Sequence, residues 1–428
     1  MADAQQGLLV QILSYNTNLQ GSRGVPQDLV DWLSPALHVS SFLANRSPAP
    51  DIVAVGFQEL LPLHFGLTGM SKTVMRSRDE LILSQIEKNA PKGERYVLVG
   101  KIVYVGCALL VYARDDTVGR RVTNVQTQWT GFGPLYMGNK SAVGVRFDVK
   151  GLNGKPDETF TFVNAHLTAH KPNAKLRALD WERIVSTLLF SNTDATLSNI
   201  YDSTHLFVHG DLNFRLHIPR NYQADGVFLG APGNHDLVVQ RLKSDGGRRE
   251  VAQFDELTLA RQNPNSTLLQ GLHEGDFVQF KCSYKFVLGE VDQYSSSREP
   301  AWTDRILFAS AADAANSSKS AITPLLYTTV PSYTTSDHKP LIALLHVSPT
   351  TTARLRQPTH KALQPASYAH FVRTRWQGKA IGWVVGWIWT LLWLLGIGQP
   401  ALGVANFAVG ITALGWWRKS GTAASVGP

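Results

Sequence analysis

Residues 207–216 read F-V-H-G-D-L-N-F-R-L, an apolar strand that ends in Gly-Asp-Leu-Asn. The strand places Asp211 and Asn213 two positions apart, so both side chains point to the same side of an extended chain. A carboxylate and a carboxamide in this arrangement can hold and deprotonate one water molecule while a cation neutralises a nearby phosphate. Alone the string is a weak signal, and its weight depends on other polar clusters in the chain.

Short apolar runs recur on both sides of this strand. Their length, their β-branched residues and their flanking Gly, Pro or polar residues predict strands. Helical periodicity lies between them, at residues 73–88 and 175–190. This mixture predicts an α/β fold in which two packed mixed β-sheets are flanked by helices, a four-layer sandwich. The predicted strands are 8–13, 52–57, 96–99, 108–112, 142–147, 159–164, 205–209, 305–308 and 341–347.

Composition indicates one large domain with an appendage. The chain has 428 residues, of which 44% are apolar, and this is enough to bury a large core. Its two cysteines cannot form a disulfide framework, so we expect a reducing compartment. The first residues lack a basic segment followed by a long apolar one, so no signal peptide is expected.

The net charge of +8 has an uneven source. Residues 349–428 hold eight of the 41 basic residues and none of the 33 acidic ones, so residues 1–348 carry 33 of each. An enzyme acting on nucleic acid usually carries positive charge on its catalytic body, so no nucleic-acid partner is expected. The surplus instead accompanies apolar sequence, where it can meet anionic lipid.

The C-terminal part predicts a membrane anchor. Residues 349–372 are rich in Thr, Pro and Arg and are expected to be a linker, and 373–419 form the anchor before a short tail, 420–428. The apolar stretches 380–398 and 401–417 each approach the ~20 residues that a helix needs to cross a bilayer. Basic flanks favour a hairpin with both ends in the cytosol, and a single span with the other stretch at the surface remains the alternative.

Polar side chains also follow the first two predicted strands. Asn16 lies just after 8–13, and Glu59 follows 52–57. Asparagine is common in turns and a strand-end glutamate can simply be solvated, so either residue alone is weak evidence for a metal site. Together they match the oxygen ligands that a hard cation such as Mg²⁺ takes from proteins.

Histidines lie at two further strand ends. His166 and His170 follow one strand, and a strand-end histidine is more often structural than catalytic. Asp337 and His338 directly precede another strand, where they can serve as a metal or water ligand and a proton-bearing phosphate contact. Asp304 is expected to orient His338 as an acid–base pair.

These segments resemble the inositol polyphosphate 5-phosphatases, within the DNase-I-like endonucleases, exonucleases and phosphatases. The resemblance covers essentially residues 6–348 and rests on two signature segments, 207–216 and R-E-P-A-W-T-D-R-I-L at 298–307. Departures from the family pattern are Val208, Ser141 and the lack of a proline within 280–286, and none removes a charged or metal-binding group. Supporting matches are 130–131, 137–140, 164–170, 280–286 and 336–340.

The resemblance implies a role for each candidate residue. Asn16 and Glu59 would hold Mg²⁺, with Asp337 beside it. Asp211 would activate the attacking water, and Asn213 would position it. His166 and His338 would stabilise the 5-phosphate and its transition state, with Asp304 orienting His338. The implied 4-phosphate contacts are Lys140, Tyr284, Lys285 and Arg305.

The expected function is magnesium-dependent hydrolysis of the 5-phosphate of a phosphoinositide, foremost phosphatidylinositol 4,5-bisphosphate. Tethering would raise the effective concentration of the site near its lipid. Similar anchored fungal proteins indicate the endoplasmic reticulum, with the catalytic domain in the cytosol. The alternatives are a metal-dependent nuclease or sphingomyelinase-type phosphodiesterase, and a catalytically inactive lipid-binding or scaffold protein. The complete set of candidate catalytic residues speaks against the inactive protein.

Overall fold

The part of the chain that the computed structural model describes contains sixteen strands and seven α-helices. That part comprises residues 7–19, 33, 37, 49–192, 194, 196–314, 317, 319–351, 354–397, 404, 406 and 408–412. The strands are β1 (Leu8–Asn16), β2 (Ile52–Gln58), β3 (Tyr96–Tyr104), β4 (Cys107–Arg114), β5 (Val122–Gly131), β6 (Ser141–Val149), β7 (Glu158–His166), β8 (Phe190–Ser191), β9 (Leu197–Ser198), β10 (His205–Asp211), β11 (Gln223–Ala224), β12 (Val227–Phe228), β13 (His273–Glu274), β14 (Asp304–Ser310), β15 (Ile322–Thr329) and β16 (Leu341–Val347). The helices are α1 (Leu63–Leu67), α2 (Ser71–Lys88), α3 (Ala174–Thr187), α4 (His235–Leu242), α5 (Asp245–Ala252), α6 (Glu256–Arg261) and α7 (Tyr368–Leu394).

Two six-stranded sheets pack against each other. Their strand orders are β15-β16-β1-β2-β4-β3 and β13-β14-β10-β7-β6-β5. Successive side chains of a strand point to opposite faces of its sheet, and those on the two inner faces share one core that includes Ile12, Val111, Val145 and Phe162. Helix α2 covers the outer face of the first sheet, and Trp181 of α3 packs on the second. This is the four-layer sandwich that the sequence predicts.

Each predicted strand forms, and most extend further than their apolar runs. Seven of the described strands are not predicted by the apolar runs. Five of them have only two residues (β8, β9, β11, β12 and β13), and the two longer ones, β5 and β15, lie at opposite edges of the two sheets. Edge strands are half exposed, so β5 (V-T-N-V-Q-T-Q-W-T-G) carries no continuous apolar run and gives no strand signal.

Parallel pairing brings the polar strand ends together. Strands β1 and β2 are parallel, as are β7 and β10, so their carboxyl ends meet at the same edge of each sheet. In the second sheet, Asp211 lies in register with His166 on one side and with Asp304 of antiparallel β14 on the other. The register alone therefore assembles a carboxylate between an imidazole and a second carboxylate.

The segment predicted as a linker is packed on the domain where it is described. Leu355 and Leu363 are buried in the same core cluster as Trp181. The N–H of Leu355 donates to the carbonyl of Ser203, and Arg354 pairs with Asp202 at 2.7 Å. These two buried leucines hold the segment on the domain surface, although its composition predicts an extended linker. We call this packed segment the strap.

Helix α7 begins at Tyr368, inside the predicted linker, continues into the predicted anchor region and packs along the domain through Gly378, Gly382, Gly386 and neighbouring residues. Within the described part of the chain, no helix is both long enough and apolar enough to cross a membrane. Most of the second apolar stretch, 401–417, lies outside the described residues. The membrane anchor therefore stays a prediction.

Candidate active site

Strand β10 ends within the segment 207–216, at the centre of the site. Gly210 has a φ of 131°, and a Cβ at this position would collide with the carbonyl oxygen of Ala165 on β7. Glycine therefore lets β10 lie against β7 at this point. Asn213, two residues beyond Asp211, adopts a left-handed conformation with φ 58°, and its N–H donates to Asp211 Oδ1 at 3.0 Å. A left-handed non-glycine residue next to such a site is a form of local strain that functional sites commonly retain.

Asp211 lies at the centre of the site, and its side chain is buried, with only 2% of the residue exposed. Its Oδ2 accepts a hydrogen bond from Asn16 Nδ2 at 2.9 Å and lies 3.2 Å from His166 Nε2. Burial alone would raise the pKa of the Asp211 carboxyl, but His338, His166 and Lys140 together lower it far below its usual range. Asp211 is therefore ionised at every physiological pH.

His338 and Asp304, which the sequence predicts to act as a pair, lie in direct contact. His338 Nδ1 lies 2.8 Å from Asp304 Oδ2, and His338 Nε2 lies 3.9 Å from Asp211 Oδ2. Burial alone would lower the pKa of His338, but Asp304 and then Asp211 raise it to about 10. His338 is therefore an imidazolium that presents a positive charge to the site.

His166 carries the opposite protonation state. Burial lowers its pKa, and the Lys140 ammonium beside its Nε2 lowers it further, against the opposing effects of Asp211 and Glu59. His166 is therefore a neutral imidazole at pH 7. The two histidines thus differ because the Lys140 ammonium opposes a positive charge on His166, whereas His338 has the Asp304 carboxylate bound to it and, among the described residues, no ammonium beside it.

Glu59 supplies a second carboxylate at the opening of the site. It has a left-handed backbone with φ 55°, and its Oε1 lies 3.5 Å from Lys140 Nζ and 3.6 Å from His166 Nε2. Burial would raise the pKa of Glu59, but Lys140 and the two histidines lower it. An ionised, largely buried carboxylate at this position needs a cation close by.

Glu59 and Asp211 both lie beside His166 Nε2, and Asn16 donates from its Nδ2 to Asp211 Oδ2, so two carboxylates and an amide, the kinds of group that hard divalent cations take as ligands, lie close together. Among the described residues, Asp211, Asp304 and His338 have ligand atoms within 4.8 Å of one another. That trio is less suited to a metal, because a protonated His338 offers no lone pair. Glu59 and Asn16 are therefore the residues that fit the predicted metal site.

Lys285, Tyr284 and Asp337 lie on the other side of His338. Lys285 Nζ pairs with Asp337 Oδ2 at 3.2 Å, and the ring of Tyr284 lies 4.6 Å from that of His338. Asp337 Oδ1 is buried and has no hydrogen-bond partner among the described residues. A carboxylate oxygen left open in this way is suited to a group that enters the site.

Arg305 is not brought to this cluster. It is fully buried, and its guanidinium is bound by Asp255 at 3.1 Å on one side and by Glu274 at 2.6 Å on the other. Along β14, Arg305 alternates with Asp304 and points to the opposite side of the sheet. The predicted contact between Arg305 and the 4-phosphate does not fit the structure, and the residue is a structural ion-pair centre.

Two residues of the site are absent from the sequence-based set. Ser283 donates its hydroxyl to Asp304 Oδ2 at 2.7 Å, and Arg215 donates to the side-chain oxygen of Asn213 while its guanidinium lies 4.6 Å from the Tyr284 ring. Arg215 lies within the signature segment 207–216, and this position could have identified it as a site residue. A single serine carries no comparable signal.

The fold and the site together define a four-layer α/β protein whose strand ends bring carboxylates, histidines and a lysine into one cluster. The chain belongs to endonuclease/exonuclease/phosphatase family 2, whose model matches residues 13–344. Its resemblance to the inositol polyphosphate 5-phosphatases is also confirmed by curated relatives and by a solved structure.

Two curated relatives illustrate this membership. Rat synaptojanin-2 is 29% identical over 300 residues, which are 69% of this chain and 18% of the relative. Mouse phosphatidylinositol 4,5-bisphosphate 5-phosphatase A is 28% identical over 352 residues, 79% of this chain and 30% of the relative. The chain thus spans less than a third of the length of either relative.

A solved structure shows the same fold. The crystallised inositol polyphosphate 5-phosphatase domain of SPsynaptojanin, in complex with inositol (1,4)-bisphosphate and calcium ion, superposes with a TM-score of 0.58 at 24% identity. The match covers 80% of this chain and 85% of that domain. At this identity the likeness establishes the architecture alone.

Proposed function

We propose that this chain hydrolyses the 5-phosphate of phosphoinositides, foremost phosphatidylinositol 4,5-bisphosphate, and releases phosphatidylinositol 4-phosphate. The observation that carries the proposal is an ionised Asp211 held between the neutral His166 and the protonated His338. The names of the curated relatives, which include a phosphatidylinositol 4,5-bisphosphate 5-phosphatase, support the substrate class.

Asp211 is suited to orienting the attacking water. Its low pKa makes it a weak base, but phosphoryl transfer has a loose transition state in which the water needs little deprotonation before the bond to the leaving group weakens. The carboxylate therefore aligns the water through a hydrogen bond and takes its proton late. Asn213 is held for the same task by the Leu167 carbonyl, which accepts from Asn213 Nδ2 at 3.1 Å.

The phosphate would face two positively charged side chains, His338 and Lys140. His338 keeps its proton because of Asp304, and Lys140 adds an ammonium near the opening. Both charges are in place before the reaction, so they stabilise charge on the phosphoryl oxygens without reorganising. Glu59 and Asn16 would hold the divalent cation, which we propose to be Mg²⁺. When bound it neutralises phosphoryl charge.

Lys285 and Tyr284 are proposed to select the 4-phosphate. Lys285 is about one-third exposed and sits at the opening, where its pairing with Asp337 leaves two of its three N–H donors for an anion. The membrane and the endoplasmic reticulum remain our proposed setting, supported by the acid-free, apolar C-terminal sequence. The formally neutral catalytic body favours a lipid over a nucleic acid.

One assay tests the reaction and its rivals together. Purified full-length protein with Mg²⁺ is offered phosphoinositides in mixed micelles, soluble inositol phosphates, sphingomyelin and DNA. We expect phosphate release from substrates that carry a 5-phosphate, with little from analogues that lack it. Cleavage of DNA or sphingomyelin with every inositol substrate spared would overturn the proposal.

The acid–base pair predicts a pH signature. In Asp304→Asn, the neutral amide no longer holds the proton on His338, so the pKa of the imidazole is expected to fall from about 10. Activity that needs the imidazolium is retained below this pKa and lost as pH rises through it. The alkaline limb of kcat should therefore move to lower pH in the variant.

The measurement is a pH–rate profile on a soluble inositol phosphate, from neutral to alkaline pH. Asp236→Asn, which changes a carboxylate that is 98% exposed, serves as the matched control and should keep the wild-type profile. Identical alkaline limbs in Asp304→Asn and wild type would contradict a catalytic role for the protonated His338.

A further inference from the structure

Helix α7 exposes a continuous apolar face. Its exposed apolar residues lie around a narrow buried stripe (Phe371, Thr374, Gly378, Gly382, Gly386 and Thr390) and extend for about 30 Å along the helix axis. Trp383 and Leu391 are each 54% exposed, and Leu395 is 73% exposed, in the described part of the chain. The large exposed apolar residues of α7 from Trp376 onward, which we call its outer face, are Trp376, Trp383, Val384, Val385, Trp387, Ile388, Trp389, Leu391, Leu392, Leu394 and, just past its end, Leu395.

The opposite face of α7 is fixed to the domain. A Cβ at Gly378 would collide with the carbonyl oxygen of Tyr136, and one at Gly386 would lie 2.7 Å from the Leu67 Cβ. The helix backbone therefore lies directly on the domain surface, which larger residues would prevent. Arg375 adds a cation–π contact over Trp129 at 4.2 Å.

These contacts connect the helix with segments that enter the active site. Tyr136 lies in the turn that leads to Lys140, four residues further on. Leu67 ends α1, which follows the proposed metal ligand Glu59. The outer face of α7 is thus attached to the side of the domain that carries Glu59 and Lys140.

The composition of α7 indicates what covers its outer face. Tryptophans interleave with aliphatic residues, and Arg373 and Lys379 flank the first of these turns. No acidic residue occurs anywhere in 349–428. Tryptophan is enriched at membrane–water interfaces, and basic residues without acidic ones are attracted to anionic lipid.

We propose that α7 lies flat in the bilayer interface, with its outer face in lipid and its glycine face on the catalytic domain, so that the Glu59–Lys140 side of the site meets the membrane. This deepens the proposed function, since it rests on a lipid substrate. Because the domain covers one side of α7 from Phe371 to Thr390, this stretch cannot be surrounded by lipid as a spanning helix is.

Site-directed fluorescence on the full-length protein tests this orientation. The two native cysteines, Cys107 and Cys282, are buried, so a cysteine introduced at Trp376, Trp383, Trp387 or Leu391 is labelled selectively. Phosphatidylcholine vesicles with and without phosphatidylserine carry nitroxide quenchers at a shallow or a deep acyl position. Leu325→Cys, at an exposed position on edge strand β15, is the matched control.

We expect all four labels to be quenched by the shallow nitroxide far more than by the deep one, at similar depths of roughly 5–10 Å. Phosphatidylserine should strengthen vesicle binding, and the Leu325→Cys label should stay unquenched. Trp387→Asp should weaken vesicle binding by about tenfold or more, since it places a charge in the apolar face.

Three outcomes would overturn the proposal. One is a depth profile that peaks at the middle labels, as in a spanning helix. Another is the absence of any vesicle-dependent change, and the last is a lipid-free, concentration-dependent change that shows a second copy covering the face. None of these readouts requires hydrolysis. The fluorescence experiment can therefore disprove the orientation of α7 even if 5-phosphatase activity is found. It can likewise support the orientation even if no activity is found.

Discussion

Asp211→Asn is expected to lower kcat by about 10²–10⁴-fold while the protein stays folded. The amide keeps the shape of the carboxylate but cannot accept the proton of the water, and it removes the negative charge that faces His338 and His166. KM should change much less, because Asp211 acts on the water and not on the inositol ring. Steady-state kinetics on a soluble inositol phosphate at saturating Mg²⁺ measures both constants.

The matched control is Asp225→Asn, which changes a carboxylate that is 82% exposed, and it should keep wild-type kinetics. Circular dichroism and thermal unfolding show whether each variant is folded. A folded Asp211→Asn protein that retained more than a tenth of wild-type kcat would contradict the assignment of Asp211 to the water.

Arg305→Ala is expected to lower the free energy of unfolding by about 3–5 kcal/mol. The substitution leaves Asp255 and Glu274 buried without their cation, and their desolvation is no longer offset. Arg305→Lys should lose less, because it keeps the charge but cannot bind both carboxylates with a planar fork. Urea denaturation followed by fluorescence measures the loss.

The surface pair Arg120–Asp115 supplies the control for Arg305. Its atoms are 3.1 Å apart, but Arg120 is 74% exposed, so Arg120→Ala should change the free energy of unfolding by only about 0–1 kcal/mol. If Arg305→Lys were as stable as wild type but had a much higher KM for 4-phosphate-bearing substrates, Arg305 would be a substrate contact after all.

The strand-end polar residues were predictable because the signal is local. An apolar run followed at once by Asn16, Glu59 or Asp211 marks a buried strand that ends in a polar group. The structure brings all but one of the sequence-predicted site residues to a single cluster, although their individual roles stay predictions. The exception, Arg305, shows the limit, since a motif match does not show on which side of the sheet a side chain lies.

Several features depended on partners distant in the chain. Ser283 matters because folding places it against Asp304, and the strap around Leu355 packs because Ser203 and Trp181 lie beneath it. Composition marks that strap as a linker and the following stretch as a free anchor. The structure instead docks Gly378 and Gly386 on the catalytic domain, through contacts that no hydropathy pattern encodes.

The sequence by itself determined the four-layer fold, the family and the residue types of the candidate site. Periodicity and strand-end motifs are patterns of neighbouring residues, so they can be recognised without the structure. Only the tertiary structure decided the charge states of His166 and His338, which depend on whether Lys140 or Asp304 lies beside each ring. It also decided that Arg305 is a buried ion-pair centre. These properties arise from distances and burial between residues far apart in the chain, and a linear pattern does not specify them.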